Sequence, residues 1–130
     1  MYVSPLLASG SESTCHAEVW YAWLDGAVFM IVSAEGWKAR SLAAGRDRAR
    51  LWVGDHGRWK SGANEAFRKA PHFDARGEAL RDAETVERIL SVYDGKYPDG
   101  IARWRDRMKN GVADGSRVVI RYAPDRSSRT

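Results

Sequence analysis

One dipeptide constrains this chain more than any other. Asp25-Gly26 stands between an aromatic-rich segment, Val19-Trp20-Tyr21-Ala22-Trp23-Leu24, and an unbroken apolar one, Ala27-Val28-Phe29-Met30-Ile31-Val32. Two-residue hairpins favour the type I′ turn, which needs positive φ at both central residues and matches the twist of the flanking strands. The sequence therefore predicts an antiparallel hairpin, its first strand running from about Thr14 to Leu24.

Further strands are expected at Tyr2 to Ala8, before the turn-forming Ser9-Gly10-Ser11-Glu12, at Arg50 to Val53 and at Phe73 to Leu80. Between the hairpin and the Arg50 strand, Trp37 to Ala44 holds good helix formers and stops at Gly45. The Gly, Lys, Arg and Asn content from Gly54 to Lys69 reads as a long, mobile connection. Asp82 is placed to cap a helix whose apolar residues Val86, Ile89, Leu90 and Tyr93 recur at helical spacing. Pro98-Asp99 leads into a second helix carrying Ile101, Trp104 and Met108. The last strand alternates Val118, Ile120 and Tyr122 with Arg117, Val119 and Arg121.

Short strands joined by hairpins, with helices few and late, predict a mainly β fold. An antiparallel sheet curls into a barrel packed by two or three helices. A length of 130 residues fits one domain, read as 1–124, with a polar tail over 125–130 expected to be disordered.

No apolar run approaches the roughly 20 residues that span a bilayer, and Pro5 interrupts the only apolar stretch of an N-terminus without a basic region. A cytoplasmic protein with no membrane partner is the expectation. Lone Cys15 and three histidines, His16, His56 and His72, offer no disulfide and no zinc spacing, so no metal is expected. A net charge of +4 favours anionic partners without choosing among nucleic acid, membrane and phosphorylated cofactor.

From His16 the chain reads histidine, aromatic strand, Asp25-Gly26, apolar strand to Ser33, then Gly36-Trp37-Lys38-Ala39-Arg40-Ser41-Leu42. That order resembles the pyridoxamine-phosphate-oxidase-like and deazaflavin-dependent split β-barrel proteins, in which P-H-x-x-P-V-W-[FY] leads through D-G to a K-A-R-N-L-like helix. Gly77-Glu78-Ala79, Lys96-Tyr97-Pro98 and Ser116 to Arg121 extend the likeness over most of the chain. Departures occur at Cys15 and Val19, where the family often has prolines, and at Ser41, where asparagine is frequent. The resemblance implies an FMN-binding-type split β-barrel and a homodimer. It places FMN, or the deazaflavin coenzyme F-420, in a groove between two barrels, with the cofactor phosphate beside the Lys38 helix.

The phosphate site also has a physical case. The helix opening at Gly36 offers unpaired N–H groups, Ser33 a hydroxyl, Lys38 a point charge and Arg40 a planar fork. The alternative is that Lys38 and Arg40 merely solvate an exposed face. In an alternating strand Ala17, Val19, Tyr21 and Trp23 face one way and Glu18, Trp20, Ala22 and Leu24 the other. One set fills the barrel, and Glu18 and Trp20 are assigned to the groove or dimer interface. His16 either contacts the cofactor or lies at the surface. Val19 joins His16, Glu18 and Trp20 as a cofactor-binding candidate, as do Trp37 and Trp59, the latter as a lid, while Trp104 is read as core.

The expected activity is that of an oxidoreductase acting on a small-molecule redox substrate, admitted past Arg58, Lys60, Arg68 and Lys69. No protein acid or nucleophile is assigned, because the reactive atom belongs to the cofactor. The alternative is a non-catalytic carrier of flavin, deazaflavin or haem on the same fold. Nucleic acid is disfavoured, because acids interleave the basic residues and no known recognition motif occurs.

Overall fold

The computed structural model describes residues 1–6, 17–18, 20–53 and 71–124. Among these residues seven strands and three helices follow in the order β1 (Tyr2–Pro5), β2 (Ala17–Glu18), β3 (Ala22–Leu24), β4 (Ala27–Ser33), α1 (Trp37–Ala43), β5 (Arg48–Trp52), β6 (His72–Leu80), α2 (Ala83–Lys96), α3 (Pro98–Asp114) and β7 (Arg117–Pro124). All seven strands form one antiparallel sheet, ordered β2-β1-β5-β6-β7-β4-β3.

This order forces curvature. The two edge strands, β2 and β3, are joined by residues 19–21 alone, and four virtual bonds reach at most about 14 Å. A seven-stranded sheet whose edges are tied that closely has to roll up. Trp23 of β3 accordingly meets Phe73 of β6 with ring centroids 5.6 Å apart.

The Asp25-Gly26 turn has φ of 53° and 77°, as a type I′ turn requires, and Ala22↔Phe29 to Leu24↔Ala27 pair across it. The strand expected from Thr14 to Leu24 is instead two pieces. Glu18 pairs with Tyr2 on one sheet edge, and Ala22 pairs with Phe29 on the other, so no single ladder can run through Trp20 and Tyr21. β5 begins at Arg48, two residues earlier than its composition suggested, because Arg48 and Arg50 point outward to Asp74 while Ala49 and Leu51 point in.

The core has two compartments. Val28, Met30, Val32, Ala49, Leu51, Ala75, Val118, Ile120, Tyr122 and Tyr21 fill the barrel. Ala27, Phe29, Ile31 and Val119, on the opposite face of β4 and β7, are covered by α2 and α3 through Val86, Ile89, Leu90, Tyr93, Ile101, Met108 and Val112. β4 is thus buried on both faces, which explains its unbroken apolar run. Asp82 caps α2 by accepting from the Thr85 N–H at 3.0 Å, and Pro98 occupies the first turn of α3. No helix among the described residues is long and apolar enough to cross a membrane.

Candidate functional site

α1 lies against the barrel. Ala39 and Leu42 pack on the inner core, and Gly77 opposite them has no side chain for a reason of space. A Cβ there would stand 2.7 Å from the Tyr122 ring and 3.1 Å from Leu42. The opposite arc of the helix, Trp37, Arg40, Ser41 and Ala44, lines an open cleft of about 430 Å³ together with Arg46.

Arg46 reaches this cleft because of how the helix ends. Gly45, at φ 88°, donates its N–H to the Leu42 carbonyl at 3.0 Å, and Arg46 donates to Ser41 at 2.8 Å. This Schellman closure folds the chain back beside the last turn. Arg40 sits in that turn, where a cation is favoured by the exposed carbonyls. Neither Arg40 nor Arg46 has a carboxylate partner among the described residues. Their neighbours on the sheet do: Arg50 holds Asp74 at 2.7 Å, Arg48 approaches the same carboxylate at 3.8 Å, and Arg76 approaches Asp47 at 3.8 Å.

Ser33, Gly36, Trp37, Lys38 and Arg40 lie in or beside α1, and of these only Trp37 and Arg40 line the cleft. The exposed Ser33 Oγ accepts from the Glu35 N–H at 3.3 Å, which leaves its hydroxyl hydrogen to donate. Gly36 is the N-cap, supplies no capping side chain and donates its N–H to the Ser33 carbonyl at 3.1 Å. The Lys38 ammonium lies 4.5 Å from the Trp37 ring centroid rather than lining the cleft.

Trp20 lies elsewhere, on the helix-covered face. Its indole stacks on Tyr97 at 4.6 Å and meets Tyr93 edge-on at 5.7 Å. It borders a second cleft, of about 270 Å³, with Trp104, Met108 and Arg117. Trp104, expected in the core, is half-buried against it. The backbone of Glu18 stands opposite Tyr2. His16, Val19, Trp59, the basic residues Arg58, Lys60, Arg68 and Lys69, and the tail 125–130 lie outside the described residues.

Sequence reasoning passed over Arg46 and Arg117. Arg46 was legible in principle, because a glycine directly after a helix returns the next residue to the helix's last turn.

No family model matches the chain, and no curated protein matches it in sequence. Solved structures do match in shape. The haem storage protein HutZ of Vibrio cholerae superposes with a TM-score of 0.60 at 14% identity, over 96% of this chain and 80% of that one. A conserved hypothetical protein of Mycobacterium tuberculosis gives 0.59 at 22% identity, over 96% and 72%. An FAD-binding protein of Mesorhizobium loti gives 0.56 at 16%, over 96% and 80%. The rolled antiparallel sheet, its α1 and its helical cover are thus a split β-barrel fold shared with these structures.

Proposed function

We propose that this chain is a flavin-binding oxidoreductase of the pyridoxamine-phosphate-oxidase-like class, active as a homodimer. FMN is the first candidate cofactor and coenzyme F-420 the second. The observation that carries this reading is the α1 cleft, where two guanidiniums that have no carboxylate partner among the described residues share one lining with an indole. Guanidinium forks match phosphate oxygens two at a time, and Trp37 offers a flat apolar wall. A volume of about 430 Å³ lies within the range of cofactor sites. The likeness to an FAD-binding protein of the same fold supports the same class of ligand.

Arg40 and Arg46 hold the phosphate, with the Ser33 hydroxyl and the Lys38 charge nearby. A bound flavin supplies hydride transfer at its central ring. The residues of the chain bind, orient and exclude water, and a partner copy completes a cleft that one barrel leaves open.

A second reading, a haem-binding carrier, is favoured by the likeness to a haem storage protein. Absorbance titrations of purified protein with FMN, coenzyme F-420 and haemin separate the two. The expected result is stoichiometric flavin or deazaflavin binding, weakened by Arg40→Gln. It is accompanied by faster reoxidation of the reduced cofactor with a quinone or nitro compound than in free solution. Haemin binding alone assigns the carrier, and binding of none of the three overturns both readings. A monomer by light scattering with cofactor present removes the dimer.

A further inference from the structure

The second cleft is built on a single stripe of α3. Gly100, Trp104, Met108 and Gly111 follow at intervals of four, four and three residues, which keeps them on one face over about 16 Å of helix. Glycine within a helix costs about 1 kcal/mol each, so two of them on this stripe call for a reason. Each is the seat of a side chain from elsewhere. A Cβ at Gly100 would stand 2.7 Å from the Trp20 indole, and one at Gly111 would stand 2.7 Å from the Arg117 side chain. Trp20 and Arg117 therefore lie directly on the helix backbone at opposite ends of the stripe, with Trp104 and Met108 as the floor between them.

The walls are apolar at one end and cationic at the other. Trp20 is fixed by its stack on Tyr97 and its edge contact with Tyr93. Arg117 has no carboxylate partner among the described residues, and its guanidinium lies 5.7 Å from the Trp104 ring centroid. Arg107 brings a second guanidinium to the same indole at 5.2 Å. A cleft of about 270 Å³ holds the volume of about nine waters at roughly 30 Å³ each, room for one or two fused rings.

The geometry points to a binding site for a small aromatic carboxylate, its ring on Trp104 and Met108 against Trp20 and its carboxylate on Arg117. An apolar ligand without charge leaves the guanidinium unanswered. A simple inorganic anion leaves two indoles and a thioether uncovered. Only a ligand that is flat, apolar and anionic at one end satisfies both. The site shares no residue with the α1 cleft, so it stands or falls separately from the flavin reading.

The test titrates the protein by calorimetry with the matched pair 2-naphthoate and 2-naphthamide, first without added cofactor and then with FMN present. 2-Naphthoate is expected to bind roughly tenfold or more tightly than the amide, the difference expected of one charge-assisted contact. Arg117→Gln is expected to erase that difference while amide binding persists, and Arg117→Lys, which keeps the charge without the fork, to give an intermediate value. Equal affinity for acid and amide in the wild-type protein overturns the proposal without recourse to any variant. So does an unchanged acid preference in Arg117→Gln, or in Arg117→Lys if the Gln variant does not fold. Competition between FMN and 2-naphthoate would move the ligand to the α1 cleft and overturn it too. A fall from dimer to monomer in Trp104→Ala would assign the cleft to a second copy, with the same consequence.

Discussion

The Tyr93 phenol donates a hydrogen bond of 2.9 Å to the backbone carbonyl of Trp20. This contact joins α2 to the three-residue link between the two edges of the sheet. The neighbouring bonds repeat the connection: the Tyr21 N–H donates to the Tyr97 hydroxyl at 3.2 Å, and Lys96 donates to the Tyr21 carbonyl at 3.2 Å. The end of α2 thus acts as a brace on a segment that has no ladder of its own.

Removing the brace should be costly out of proportion to its size. Tyr93→Phe leaves a carbonyl without its donor and should destabilise by about 1–3 kcal/mol. Trp20→Ala, which removes a half-buried indole from between two tyrosines, should cost about 3 kcal/mol, toward the lower end for a large aromatic. Urea unfolding of both variants checks this, with a loss below 0.5 kcal/mol for either one contradicting it.

Gly77 should tolerate no side chain. Gly77→Ala places a methyl against the Tyr122 ring and Leu42 and should destabilise by about 1–3 kcal/mol through overpacking. Because Leu42 belongs to α1, FMN affinity should fall in the same variant. Calorimetric melting and a flavin titration read the two effects independently.

Burial holds the phenols of Tyr93 and Tyr122 well above the ordinary value of 10.0. Below pH 10 each is protonated in both folded and unfolded chains, and the stabilisation is fully present. Above it the unfolded phenols ionise while the folded ones do not, so stability is lost as pH rises. The slope is about 1.4 kcal/mol per pH unit for each tyrosine. Tyr122→Phe should flatten the decline above pH 10 by one such increment, measured by denaturant unfolding between pH 9 and 11.

Arg40 and Arg46 should act on FMN through charge. Each substitution by Gln should remove a contact worth about 1.5–3 kcal/mol, or roughly 10- to 150-fold in affinity. The double variant should also lose most of the salt dependence of binding, since partly exposed ion contacts are the ones screened. Fluorescence titration across a salt series reads both, and a double variant as salt-sensitive as the wild type would remove these residues from the phosphate site.

The parts of the fold that were legible are those whose chemistry is local. Asp25-Gly26 specifies its turn by itself, Asp82 caps its helix through a residue three positions on, and Val86, Ile89, Leu90 and Tyr93 mark one helical face. The break at Trp20 and Tyr21 was not legible, because both halves of that aromatic run look like strand and only their distant partners, Tyr2 and Phe29, differ. Arg48 fell outside the strand expected from Arg50 because the carboxylate that makes it a strand residue, Asp74, lies across the sheet. The gathering of Ser33, Trp37 and Arg40 around one short helix was readable for the same local reason as the hairpin. Which of them share a cleft, and that Arg46 and not Lys38 completes it, depends on how α1 is rotated by Ala39 and Leu42 against the barrel.

The ladder between β4 and β7 makes six residue pairs, from Val28↔Tyr122 to Ser33↔Arg117, and joins strands separated by most of the chain. Closing so long a loop costs entropy before any pair is formed, whereas the α2–α3 hairpin can assemble from neighbours alone. Chain collapse should therefore begin at the helices and finish at the β4–β7 pairing, on a scale of roughly milliseconds to seconds. During synthesis the apolar face of β4 leaves the ribosome long before Val118, Val119 and Ile120 exist to cover it. Until then its most exposed competitor for pairing is the β4 of another nascent chain.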